Sequence, residues 1–177
     1  MKTPFHLMLI PTLRCPARCA YCWSSEHQGP MMDLETVRAA TAWITALNDS
    51  PVTVTFHGGE PLLAGAEFYE GALPLIEEGL APRTVAFAMQ SNLWLLDDRL
   101  ATVLAAHGVP IGTSLDGPRA LNDSQRGEGY FERTRAGCPV GCPGTPDRPA
   151  GRGRPSAPRA PHRPPRAARA RRRRGWP

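Results

Sequence analysis

The stretch CPARCAYCW, Cys15 to Trp23, follows the apolar run FHLMLIPTL, Phe5 to Leu13, with Arg14 alone between them. It holds three cysteines spaced C-x3-C-x2-C, and no fourth stands near them. Four thiolates close a tetrahedral zinc or saturate a four-iron cluster, whereas three leave one coordination position for another ligand. The spacing is short enough for one loop to wrap a cuboidal cluster, each thiolate taking a different iron. Arg14, just before the loop, and Arg18, within it, would offset the negative charge of such a cluster. A zinc site of three cysteines and one histidine, with His27 as the fourth ligand, satisfies the same spacing. On the cysteines alone both readings stay open.

The residues on either side of this loop alternate in period. FHLMLIP (Phe5–Pro11) reads as a buried strand, VTVTF (Val52–Phe56) as a second, TVAFAMQ (Thr84–Gln90) as a third and VPIGTSL (Val109–Leu115) as a fourth. Between them lie helical patterns. DLETVRAATAWITAL carries Leu34, Val37, Thr41, Ile44 and Leu47 at helical spacing, with Asp33 as N-cap. AEFYEGALPLIEEGL is a second helix, which Pro74 should kink or split. DDRLATVLAAHG is a third, with Gly108 just past its end. Strand–helix repetition of this kind predicts an α/β fold with a parallel sheet or barrel. In such folds chemistry sits on the loops that leave the C-terminal strand ends. The distinctive segments fall there each time: the cysteines, then HGGEP, QSN and SLDGP.

Composition divides the chain in two. Residues 1–135 hold 10 of the 21 Lys and Arg and 15 of the 16 Asp and Glu, a net of −5; residues 136–177 hold the rest, a net of +10. Arg, Pro, Ala and Gly make 34 of those last 42 residues. With no Leu, Ile, Phe, Met or Tyr, that segment cannot build a core, and disorder is expected. It reads as an out-of-frame translation of a GC-rich gene or as an Arg-rich tail contacting nucleic-acid phosphates. Only the second would make nucleic acid a partner. No apolar run approaches the roughly 18 residues of a membrane span. An odd number of cysteines, three of them clustered, argues against a secreted disulfide framework and for reduced thiolates in a cytoplasmic protein.

Taken together, the cysteine segment with Tyr21 before its last cysteine, HGGEPLL after the second strand, and SLDGP…ND..R after the fourth resemble the radical S-adenosylmethionine (radical SAM) superfamily. The last motif is similar to the branch that modifies peptides and matures sulfatases anaerobically. The resemblance covers about residues 3–135. It implies a partial (β/α) barrel and a [4Fe–4S] cluster held by Cys15, Cys19 and Cys22. The amino and carboxylate groups of S-adenosylmethionine would chelate the fourth iron. Reductive cleavage would then give a 5′-deoxyadenosyl radical that takes hydrogen from a peptide or protein side chain. A flavodoxin or ferredoxin would supply the electron.

The resemblance also implies roles for single residues. Tyr21 would pack near the adenine, or be an ordinary core aromatic. Gly58 and Gly59 would let the backbone approach the methionyl end, and Glu60 would face its ammonium. Ser114 and Arg126 match positions that contact the cosubstrate's carboxylate or ribose. Gln90 and Asn92 belong to the polar motif after strand three, although Leu93 stands where the pattern has Gly. Asp116 is expected to order its own turn with Gly117, and His57 is as readily a packed loop histidine as a functional one. Six (β/α) units need about 180 residues or more, so four strands predict a core truncated before the barrel is complete. Cys138 and Cys142 alone cannot supply the auxiliary-cluster domain of relatives. The alternatives are the zinc module with a nucleic-acid-binding tail, and an inactive remnant.

Overall fold

This computed structural model describes residues 4–26, 28–47 and 49–138. Four strands form one parallel sheet in the order β1-β2-β3-β4: β1 Phe5–Thr12, β2 Val52–Gly58, β3 Val85–Gln90 and β4 Ile111–Gly112. Helices α1 (Leu34–Leu47), α2 (Gly65–Leu80) and α3 (Asp98–Ala106) are the crossovers, and α4 (Arg119–Arg126) and α5 (Tyr130–Ala136) follow β4. The α/β fold expected from the alternating periods is the fold observed.

Parity along the strands explains which face is covered. Leu9, Val54, Phe56, Phe87 and Met89 are buried beneath the helices. Phe56 meets Tyr69 of α2 edge-on at 5.2 Å between ring centroids and stacks on Phe87 at 6.3 Å. The opposite face carries smaller or polar side chains, among them Thr53, Thr55, Ala86 and Ala88, with Met8 and Ile10 exposed on β1. His6 and Thr55 bond across that face at 2.8 Å.

Capping follows the sequence. Asp33 accepts from the Thr36 amide at 2.8 Å and Asp97 from the Leu100 amide at 2.8 Å, each satisfying an amide the helix leaves unpaired. Gly108, at φ +60°, takes the left-handed position after α3.

Two expectations are corrected. Pro74 does not split α2, which runs unbroken from Gly65 to Leu80; buried Phe68, Tyr69, Ala72, Leu73, Ile76 and Leu80 hold both halves on the core. Strand four is far shorter than Val109–Leu115. It pairs only through Met89↔Ile111 and Gln90↔Gly112, and then the chain turns to place Ser114 over Gln90. The last helix, α5, ends at Ala136, and Gly137 packs directly against the Leu93 backbone. Cys142 and nearly all of the Arg-rich segment lie outside the described residues. Among the described residues no helix is long and apolar enough to cross a membrane.

Candidate functional site

The cysteine loop is built from the end of β1. A register shift between Leu9 and Thr12 brings Thr12 opposite Gly58. The loop then hangs on main-chain and side-chain ties: Arg14 N–H to Thr12 Oγ1 (3.1 Å), Ser24 Oγ to the Leu13 carbonyl (2.8 Å) and Arg14 Nε to the Gly29 carbonyl (3.1 Å). From the far side, the Ala20 amide donates to the Gln125 carbonyl of α4 at 2.8 Å.

The two glycines after β2 serve this loop. A Cβ on Gly58, which sits at φ +116°, would lie 2.5 Å from the Thr12 carbonyl oxygen, and one on Gly59 would collide with the Leu13 and Arg14 carbonyls. Only glycine lets the two segments approach so closely. Their contact is sealed by the Gly59 amide on Thr12 O (3.0 Å) and the Glu60 amide on Arg14 O (2.8 Å).

Glu60 is 1% exposed, and its carboxylate is fully engaged. Oε1 accepts from the Leu62 amide (3.0 Å) and the Ser91 hydroxyl (2.8 Å), and Oε2 from the Asn92 amide (2.8 Å). Burial pushes its pKa up while these three bonds pull it down. The carboxylate therefore fastens the segment after β3 to the segment after β2. Ser91, whose hydroxyl also accepts from the Leu93 amide at 2.9 Å, is part of that fastening.

Arg126, on α4, forks onto Asp116: Nε donates to Oδ2 and Nη2 to Oδ1, the latter at 3.0 Å. The guanidinium lies 5.5 Å from the Tyr21 ring centroid and 5.2 Å from that of Tyr130, within cation–π range. The expectation that Asp116 orders its own turn is thereby corrected. Asn122, fully buried, does so instead, accepting from the Asp116 amide (2.9 Å) and donating to the carbonyls of Gly117 (2.7 Å) and Pro118 (3.2 Å). Asn122 stood in the quoted ND..R pattern without a role, because a turn-filling amide and a surface one look alike in sequence. Tyr130 carried no signal at all.

These elements meet in one cavity of about 260 Å3 at the C-terminal ends of the strands. It is lined by Cys15, Cys19, Cys22, Tyr21, Gly59, Glu60, Gln90, Asn92, Ser114 and Arg126, with His57, Ser91 and Tyr130. Of the residues to which the resemblance gives a part in holding the cluster or the cosubstrate, Gly58 alone is absent from this lining. Gln90 Nε2 donates to Ser114 Oγ at 3.0 Å, bridging β3 and the turn after β4. Tyr21 is 59% exposed, which excludes the core reading for it. His57 is exposed too, its Nδ1 accepting from the Gly58 amide at 2.7 Å. A larger cavity, about 830 Å3, lies between α1 and α2, but none of the motif residues faces it.

The donor set suits a polynuclear cluster. Cys15, Cys19 and Cys22 are half-buried thiols on one wall. Among the described residues no three His, Cys, Asp or Glu side chains gather round a single-ion point. Zinc's fourth ligand, His27, lies outside the described residues. Burial pushes the Cys15 thiol up to about 11, with the Ala17 backbone amide opposing it; burial also raises Cys19, against the charge of Arg126. Iron would have to displace these protons on binding.

Residues 9–143 match the Radical SAM superfamily. The chain belongs to that superfamily. Within this radical SAM family it is 53% identical over 133 residues to an uncharacterized protein of Methanothermobacter thermautotrophicus, covering 75% of this chain and 51% of that one. It is 32% identical over 131 residues to the serine-type anaerobic sulfatase-maturating enzyme of Klebsiella aerogenes, covering 70% and 32%. Among solved structures, native anSMEcpe with bound AdoMet and Cp18Cys peptide superposes with a TM-score of 0.67 at 26% identity, over 76% of this chain and 39% of that one. The chain thus spans about half, or a third, of the length of these curated relatives.

Proposed function

We propose that the cavity at the strand ends binds a [4Fe–4S] cluster through Cys15, Cys19 and Cys22 and presents S-adenosylmethionine to it, in the service of peptide or protein side-chain modification. One observation carries the reading: residues from four separate loops, each after a different strand, converge with the three thiols on one cavity. Cys15, Cys19 and Cys22 would hold the cluster, which would supply one-electron reduction of the S-adenosylmethionine sulfonium, the chemistry that initiates hydrogen abstraction from a substrate.

The chain's own residues would bind and orient. Tyr21, exposed on the rim and backed by Arg126, offers a ring face for the adenine. Ser114 and Gln90, already paired, offer hydroxyl and amide groups for the ribose or carboxylate. Arg126 retains Nη1, which reaches the Tyr130 hydroxyl only at 3.5 Å, so a carboxylate ligand would meet a partly committed guanidinium. Glu60 would favour an ammonium group through its own negative charge, from a carboxylate whose main bonds are internal. The peptide-type substrate rests on the sulfatase-maturating relatives and on the peptide bound to anSMEcpe; a flavodoxin- or ferredoxin-type donor rests on the family resemblance.

The test is anaerobic reconstitution with iron and sulfide, reduction with dithionite, and quantification of 5′-deoxyadenosine from added S-adenosylmethionine. The parent is expected to form it, and Cys19→Ala to form less than about a hundredth as much, since loss of one cluster ligand removes the site. Equal yields from both would defeat the assignment.

A further inference from the structure

Asn92 stands at the cavity with its side-chain amide aimed at a cysteine. Its Nδ2 lies 3.7 Å from Cys15 Sγ. Which end of the amide faces the sulfur is decided by the neighbours. The Trp94 backbone amide, which can only donate, sits 3.0 Å from Oδ1. The oxygen must therefore point to Trp94, and the NH2 to sulfur. The residue is also pinned from behind, because its own backbone amide donates to Glu60 Oε2 at 2.8 Å. Trp94 is in turn fixed by α5, its Nε1 donating to Thr134 Oγ1 at 3.0 Å. Asn92 is 7% exposed, so water does not compete freely for its donor.

We infer that Asn92 donates a hydrogen bond to the Cys15 thiolate and thereby raises the reduction potential of the bound cluster; this rests on the cluster reading above. One-electron reduction adds negative charge to the iron–sulfur core and its thiolates. A donor aimed at a ligating sulfur stabilises the more negative state more than the less negative one. The electron comes from the external reductant, and no bond forms or breaks at Asn92. Asn92 is a positioning and tuning residue that acts through Cys15, and its contribution depends on the tie between Glu60 and the segment after β3.

The experiment is a redox titration of the reconstituted full chain, followed by the electron paramagnetic resonance signal of the reduced cluster without S-adenosylmethionine. Asn92→Asp keeps the acceptor for the Trp94 amide but removes the donor; Asn92→Ala removes both. At a potential that half-reduces the parent, each variant is expected to show an oxidised-to-reduced ratio about tenfold higher, equivalent to about 59 mV for a one-electron couple. Unchanged ratios in variants that carry a full cluster would overturn the inference while leaving the cluster reading intact. A parent without iron would overturn both. Should neither variant hold a cluster, the parent labelled with 15N-asparagine decides. A 15N coupling to the reduced cluster supports the bond, and its absence from a fully loaded sample refutes it.

Discussion

Leu93 shows how one residue can break a local rule. It follows the QSN segment where glycine is the usual occupant, and its φ is +67°. For an L-residue with a Cβ this conformation costs about 1–2 kcal/mol. It is maintained by burial of the side chain, 4% exposed, and by the Ser91 hydroxyl on its amide. At ordinary positions glycine is less stable than alanine by about 0.5–1 kcal/mol. Here the order should invert: Leu93→Gly is expected to be more stable than Leu93→Ala by about 1 kcal/mol in urea unfolding, and the usual order would contradict the strained backbone. Asp116 gives a second residue-scale prediction. The Arg126 fork holds its carboxyl below the usual range. A depressed acid stabilises the fold above its unfolded value, about 3.9, and loses that contribution as the pH falls through the lowered folded value. The stability gap between the parent and Asp116→Asn should therefore be constant between about pH 5 and 8, near 0.5–1 kcal/mol for a partly exposed pair, and close below about pH 4. A gap that widens with acid would refute the fork.

At the scale of elements, periodicity located β1, β2, β3 and the three crossover helices, because each has one buried face and a strand and a helix repeat differently. It misjudged elements whose form depends on partners. Nothing in VPIGTSL shows that only Ile111 and Gly112 pair with β3, since that depends on Gln90 reaching across to Ser114. Nothing local shows that α2 survives Pro74, because the buried residues on both sides of it are what hold the helix together. Pro74 still lacks the N–H that would bond four residues back, and its ring crowds the Glu70 carbonyl. It is half-buried, so little packing is lost on its removal. Pro74→Ala is expected to raise stability by about 1–3 kcal/mol, the helix gain less the entropy that proline removes from the unfolded chain. A loss of stability would mean that the ring packs more than its exposure suggests.

For the molecule as a whole, the site was legible in outline and opaque in detail, for a physical reason. That four motifs occupy four strand ends follows from parallel topology, so their convergence could be read from order along the chain. Which groups bond to one another could not. Glu60 and Arg126 stand out as charges that ought to face a ligand, yet the folded chain engages Glu60 with Leu62, Ser91 and Asn92, and Arg126 with Asp116. Gly58 and Gly59 stand out as a ligand-approach motif, and their bare Cα positions are filled by the carbonyls that lead into the cysteine loop. The resulting arrangement is a clamp: β2's exit holds the loop of thiols, and β3's exit is held by the Glu60 carboxylate that follows β2. The proposed role of this clamp is to present three thiols to a four-iron cluster. It is tested most directly by counting metal and sulfide on the anaerobically reconstituted full chain, beside Cys15→Ala, Cys19→Ala and Cys22→Ala. About four iron and four acid-labile sulfide per chain are expected in the parent, with each substitution causing loss of most of both. One tightly held zinc with no sulfide, or iron that persists unchanged in all three variants, would contradict it.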